Sequence, residues 1–148
     1  DLDFPDHTGM MQLHPAVVRP ALARDRVRFV GDAVAVMFSA PVVQADHARR
    51  AVACAAEMAT FANTYTAAIE ARGGTFGRVR IGVHCGEVIV GNFGGESLFD
   101  YRALGDAVNV TARLETANKY FGTQVCVSTR VLDAVGIDAP ATRPVGRC

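Results

Sequence analysis

The sequence predicts an α+β fold, a ferredoxin-like sandwich with helices packed on a mostly antiparallel sheet. Three observations carry that reading. Val27–Val30 and Ala33–Phe38 are apolar runs separated by Gly31-Asp32 alone, the chemistry of a two-residue hairpin turn. Ala45–Arg72 repeats apolar residues at three and four, the period of a helix with one buried face. Val79, Ile81, Val83 and Cys85 then alternate with Arg80, Gly82 and His84, the period of a strand, before Gly86-Glu87 turns the chain into Val88–Val90.

Taken in order, Asp1–Arg24 is interrupted by Pro5, Pro15 and Pro20, and only His14–Ala23 carries a faint helical spacing. The Val27–Phe38 hairpin follows, and Pro41 opens a connection. In the long helix Asp46 is the expected N-cap, Val52, Ala55, Met58, Ala62, Tyr65 and Ile69 form the buried stripe, and Gly73-Gly74 ends it. Val79–Val90 is expected as a second hairpin. Gly91–Gly95 reads as a hairpin connection rather than a phosphate loop, since it lacks the G-x-x-x-x-G-K-[ST] pattern and opens no helix. Phe99 and Tyr101 alternate in a short strand, Gly105-Asp106 turns with Asp106 as cap, and Ala107–Asn118 is helical. Val125–Val127 is a strand, Ser128 caps a short helix to Val135, Gly136 stops it, and Arg143–Cys148 begins another strand. No internal repeat or linker divides the chain, and its length suits one domain.

Composition removes several classes of function. Half the residues are hydrophobic and 20% are charged, which excludes disorder. Fifteen basic and fifteen acidic side chains cancel, against a nucleic-acid arm or a polybasic membrane patch, and Lys119 is the single lysine. The longest apolar run, Ala33–Val43, is broken by Ser39 and Pro41 and is too short to span a bilayer. Asp1-Leu2-Asp3 is acidic where a secretory leader is basic. Cys54, Cys85, Cys126 and Cys148 are scattered without a C-x-x-C pair, so they read as small hydrophobes in a reducing cytoplasm.

Two segments place an acid after a glycine at the end of a strand: Arg28-Phe29-Val30-Gly31-Asp32 and Arg102-Ala103-Leu104-Gly105-Asp106. A carboxylate at a hairpin tip suits a hard cation such as Mg²⁺. By spacing alone, Asp32 equally serves the turn, which is the commoner role. After the second segment, Asn109 and Arg113 are four apart and share a helix face. An amide and a guanidinium fork near a helix N-terminus suit a phosphorylated ligand. The plainer alternative is a solvated face with Arg113 paired to a carboxylate such as Glu115. His84 and Cys85 are adjacent on a strand and point to opposite faces, so they form no catalytic pair, and His84 reads as structural.

Together, Val30–Phe38 (VGDAVAVMF), Ile81–Asn92 (IGVHCGEVIVGN) and Tyr101–Glu115 (YRALGDAVNVTARLE) resemble the class III nucleotidyl cyclases, the bacterial adenylate cyclase catalytic domain above all. The resemblance runs from about Val27 to Cys148 with three motifs in register. It implies a cyclase sandwich and one catalytic domain over 1–148, truncated or lacking loops in its N-terminal part and at its C-terminus. It further implies conversion of ATP to 3′,5′-cyclic AMP and pyrophosphate in a head-to-tail homodimer, with two Mg²⁺ or Mn²⁺ ions per site. In that family pattern Asp32 matches a metal ligand, Asn109 the residue that positions the ribose, and Arg113 the one that stabilises the five-coordinate phosphorus.

The first metal-binding Asp of the family falls at Asp1, in Asp1-Leu2-Asp3-Phe4, one residue short of the pattern D-[ILV]-x-G-F and without its glycine. The base-reading lysine position carries Arg28 and its partner position Arg102, which leaves the nucleobase open. Lys119 does not fall where the family keeps a phosphate-binding lysine. The resemblance implies a cytoplasmic module, or the cytoplasmic part of a membrane-anchored protein, with regulatory domains in a longer chain and no nucleic-acid or membrane contact of its own. The alternatives are a catalytically inactive cyclase-like module that dimerises or binds nucleotide, and a guanylate cyclase.

Overall fold

In the computed structural model the described residues are 26–30, for which only the backbone course is given, together with 33–40, 42–92 and 101–146. Strands β1 (Arg26–Val30) and β2 (Ala33–Met37) pair antiparallel from Arg26↔Met37 to Val30↔Ala33. This is the first expected hairpin. Gly31 and Asp32, which join its strands in sequence, lie outside the described residues, as do the helical spacing at His14–Ala23 and the strand position of Phe99.

Helix α1 (His47–Glu70) carries its buried stripe on Ala48, Val52, Ala55 and Ala62, with Met58 and Ile69 half-buried. These positions recur at three, four and seven, so one face turns inward. Asp46 flanks the helix but its carboxylate caps no backbone N–H; it accepts a bond from Arg49 at 3.4 Å. At the other end Gly73 takes φ +77°, and Gly74 N–H donates to Ile69 O at 3.0 Å, which closes the last turn. Tyr65 stays at the rim, stacked on Phe61 and edge-on to Phe76.

Beyond α1 the structure departs from the expected second hairpin. Strand β3 (Ile81–Val83) does not pair with β4 (Ile89–Asn92); it pairs parallel with β6 (Val125–Val127), in the register Ile81↔Val125 to Val83↔Val127. Strand β4 pairs antiparallel with β5 (Tyr101–Leu104). Among the described residues, then, there are three two-stranded sheets, two antiparallel and one parallel. This is a mixed helix–strand fold of small sheets, one of them parallel, so a single mostly antiparallel sheet is not seen among the described residues. The reason is burial. Ile81 and Val83 pack with Ala48, Val52 and Val131 on one side of the β3–β6 pair, while Gly82 meets helix α2 (Asp106–Phe121) on the other. A pair covered on both faces is where parallel strands occur. Ile89 on β4, by contrast, is 73% exposed.

Helix α3 (Thr129–Val135) closes the core through Val131, which is 1% exposed, and a 3₁₀ turn, Gly136–Asp138, follows it. Residues 143–146 form no strand, contrary to expectation. No described helix is long and apolar enough to cross a membrane. Cys54, Cys85 and Cys126 are unbridged, and Cys126 is buried.

Candidate active site

The candidate site is built on the first half of α2, and that helix is fixed from beneath. A Cβ at position 82 would lie 2.6 Å from Glu115 N and nearer still to Thr111 O. Only glycine lets the helix backbone lie this close to the strand. Further along, Asn118 is 1% exposed, and its Nδ2 donates to Ile81 O at 3.0 Å and to Leu114 O at 3.1 Å. Its Oδ1 accepts from Thr123 Oγ1 at 2.7 Å. Arg80 Nε donates to Glu115 Oε1 at 3.1 Å.

The start of α2 corrects one expectation. Asp106 is the first helical residue, not its cap. Gly105 precedes it with φ +153°, and a Cβ there would crowd Glu87 O at 3.1 Å. Asp106 instead places a carboxylate in the first turn, where the helix dipole favours it.

Asn109 and Arg113 follow on this helix, both exposed and one turn apart, so they present a common face as the spacing predicted. Glu115, the carboxylate considered as a partner for Arg113, is occupied by Arg80. Among the described residues Arg113 has no ion pair. It borders an open depression of about 340 Å³ with Ala112, Thr116, Ala117 and Tyr120. A guanidinium with no ion pair among the described residues can receive an anion, and the amide of Asn109 can donate to or accept from a hydroxyl.

Arg102 is half-buried on β5 opposite Gly91, on the strand that leads into Gly105. Of Arg28 the structure gives the strand position, opposite Ala35, and not the side chain. Asp1 and Asp32 lie outside the described residues, so their geometry relative to Asn109 and Arg113 is not described. Among the described residues no three metal-ligating side chains gather.

Two supporting features escaped sequence reasoning. Ser128 stands at the N-cap position of α3, but its hydroxyl is hydrogen-bonded to His84 Nδ1 at 2.9 Å instead of capping the helix. Burial lowers the His84 proton affinity, the charge of Arg130 lowers it further, and Asp106 opposes both. The Cys85 thiol donates to Arg130 O at 3.5 Å. The other missed feature is the Asn118 clamp. Gly82 in a strand interior was the available signal for the close helix approach; nothing local in the sequence marks Asn118.

Residues 18–140 match the adenylate and guanylate cyclase catalytic domain, and the chain belongs to that family. Adenylate cyclase 1 of Rhizobium meliloti (strain 1021) is 38% identical over 120 residues, which are 81% of this chain and 18% of that protein. Adenylate cyclase of Anabaena cylindrica is 39% identical over 54 residues, 36% of this chain and 11% of that one. The matched stretches are therefore under a fifth of these relatives. Among solved structures, that of the guanylyl cyclase Cya2 superposes with a TM-score of 0.70 at 33% identity, covering 82% of this chain and 60% of that one. A bacterial light-regulated adenylyl cyclase shares the fold, with a TM-score of 0.67 at 23% identity over 84% of this chain and 35% of that one.

Proposed function

We propose that this chain is the catalytic domain of an adenylate cyclase, converting ATP to 3′,5′-cyclic AMP and pyrophosphate at sites shared between two copies in a head-to-tail homodimer. The observation that carries the proposal is the exposed Asn109–Arg113 face on α2, with Arg113 free of any ion pair among the described residues. The similarity over most of the chain to a protein named adenylate cyclase favours ATP as substrate.

In the reaction the ribose 3′-oxygen bonds to the α-phosphorus, the bond from that phosphorus to the β-bridging oxygen breaks, pyrophosphate leaves, and the hydroxyl proton passes to solvent. Asn109 holds the ribose so that its hydroxyl lies in line with the leaving group, since such transfer is mainly positioning. Arg113 meets the charge that gathers on the α-phosphate oxygens. Asp32 and Asp1 offer carboxylate oxygens, the donors that Mg²⁺ or Mn²⁺ prefers, and two such ions when bound would neutralise phosphate charge and favour the attacking alkoxide. Arg28 and Arg102 are assigned to the base. This domain is proposed to work in the cytoplasm, joined to regulatory domains in a longer chain.

A guanylate cyclase is the second reading, favoured by the structural likeness to Cya2. The test is purified chain with Mn²⁺ and either ATP or GTP, with the cyclic product resolved by chromatography. Cyclic AMP formed preferentially from ATP supports the proposal, and preference for GTP replaces it with the second reading. No product from either nucleotide leaves the catalytically inactive module.

A further inference from the structure

The residues that would handle substrate are on α2, yet the first turn of that helix rests on a segment with no regular structure, residues 84–88. How that segment is held therefore matters. At one end its first residue is held to the start of α3, since the Ser128 hydroxyl is hydrogen-bonded to His84 Nδ1 at 2.9 Å. Ser128 N–H donates to the oxygen of Val83, the strand residue just before the segment, at 3.0 Å. At the other end it abuts α2. A Cβ at Gly86 would lie 2.9 Å from the Ala107 methyl, and one at Gly105 would lie 3.1 Å from Glu87 O and 3.4 Å from Val88 Cα. With no side chain at Gly86 and Gly105, segment 84–88 and the start of α2 pack together without space between them, and close-packed elements transmit a shift from one to the other. Ala107 is two residues from Asn109.

We propose that His84 is a positioning residue for the cyclase site: its bond to Ser128 sets segment 84–88, and through Gly86 and Glu87 that segment sets the first turn of α2 and with it Asn109. The proposal rests on the cyclase reading for its effect on turnover, and on the geometry alone for the coupling itself. His84 was read from the sequence as structural; the structure gives that role a direction.

The latch is also sensitive to protonation. The edge of His84 away from Ser128 faces the Gly86–Arg130 side: the position of a Gly86 Cβ lies 3.5 Å from His84 Nε2 and 3.8 Å from Arg130 Nη1. The charges acting on the ring are Arg130 from α3, which opposes a proton, and Asp106 from the first turn of α2, which favours one. Glu87, on the same segment, is exposed. An imidazolium is disfavoured beside Arg130, and with a proton on Nδ1 the Ser128 hydroxyl can only accept from it, so protonation changes the state of the latch.

The test uses the whole chain with three variants. Ser128→Ala removes the latch, His84→Ala removes the ring, and His84→Asn keeps a hydrogen-bonding group near the Nδ1 position but cannot titrate. The expected result is a loss of kcat of about tenfold in both alanine variants, part of the roughly 10²-fold that a full 1 Å misplacement can cost. His84→Asn should restore most of it and flatten the fall in kcat between about pH 7 and 5, where histidine titrates. Wild-type kcat in both alanine variants would overturn the proposal, as would equal losses in His84→Asn and His84→Ala with folded circular dichroism. An activity-free arm separates this from the cyclase reading. The amide resonances of Ala107 and Asn109 should follow a titration in that pH range in wild type, and lose it in His84→Asn. If they do so while no cyclic nucleotide forms, the coupling stands and the cyclase reading falls. If the chain turns over and these amides do not titrate, the latch is wrong.

Discussion

The buried amide of Asn118 donates to the main-chain oxygen of Ile81 at 3.0 Å, joining the C-terminal half of α2 to the first residue of β3. The same side chain accepts from Thr123 Oγ1 at 2.7 Å, where the chain leaves α2 for β6. One amide thus ties the helix to β3 and to the connection that leads into β6. Asn118→Ala leaves the Thr123 hydroxyl and the Ile81 carbonyl without this partner. A loss of about 1–3 kcal/mol is expected, the cost of unsatisfied buried polar groups. Urea unfolding checks it: the midpoint should fall with the slope unchanged.

Gly82 provides a second test of the same contact. Alanine there would meet the α2 backbone at Glu115 N and Thr111 O, neither of which is a flexible chain end. The helix must move or the strand must bend. The expected destabilisation is about 1–3 kcal/mol or more, the range for overpacking. Gly77→Ala is the control, since nothing lies within 4 Å of a Cβ at that position. A Gly82→Ala variant as stable as that control by thermal unfolding would contradict the packing described.

These two contacts mark where sequence reading ends. Periodicity identified α1 and α2 and the β1–β2 hairpin, because an apolar stripe or a two-residue turn is a local signal. The common face of Asn109 and Arg113 was legible for the same reason. The partner of β3 was not, because alternation reports that a strand has faces and not which strand lies beside it. Gly86 looked like a turn residue, whereas its missing side chain admits Ala107. Ser128 looked like a cap, whereas its hydroxyl is committed to His84, a residue 44 positions away in the chain. The capping choice at α2 failed similarly, since Gly105 is required by its φ of +153° and its closeness to Glu87.

His84 gives the fold a pH dependence whose sign is fixed. Its folded proton affinity lies below the ordinary value of 6.5, so below that pH the unfolded chain binds more protons. Stability contributed by neutral His84 is therefore complete above about pH 6.5 and declines as pH falls through the lowered folded value. His84→Asn should show a weaker decline between about pH 7 and 5. Unfolding midpoints measured across that range check this, and parallel curves for the two proteins would contradict it.

Asp32 bears on the metal assignment. Asparagine suits turns as aspartate does, so Asp32→Asn should fold normally. If Asp32 is a metal ligand, the variant should lose Mn²⁺-dependent cyclisation, since a neutral amide is a much poorer ligand for a hard cation. Retained Mn²⁺-dependent turnover would remove the assignment, and Mn²⁺ binding followed by electron paramagnetic resonance gives a readout independent of catalysis.

Arg113 separates a cyclase from an inactive module most sharply. Its guanidinium is exposed, has no ion pair among the described residues and is carried on a helix anchored by Asn118 and Gly82. On the cyclase reading its guanidinium would meet charge on the α-phosphate oxygens and gain more in the transition state than in the ground state. Arg113→Ala should lower kcat by about 10² to 10³, the size of one lost electrostatic stabiliser, with a smaller change in KM. Lysine should rescue only part, because it carries the charge without the two-pronged geometry. Loss of Arg113 should leave stability nearly unchanged, since the side chain is exposed and has no ion pair among the described residues. If each site draws Asp32 from one copy and Arg113 from the other, mixing Arg113→Ala with Asp32→Asn chains should restore activity. Each mixed dimer then keeps one site free of both lesions. Mixtures that stay silent while wild type is active would show that both residues serve a site from the same copy.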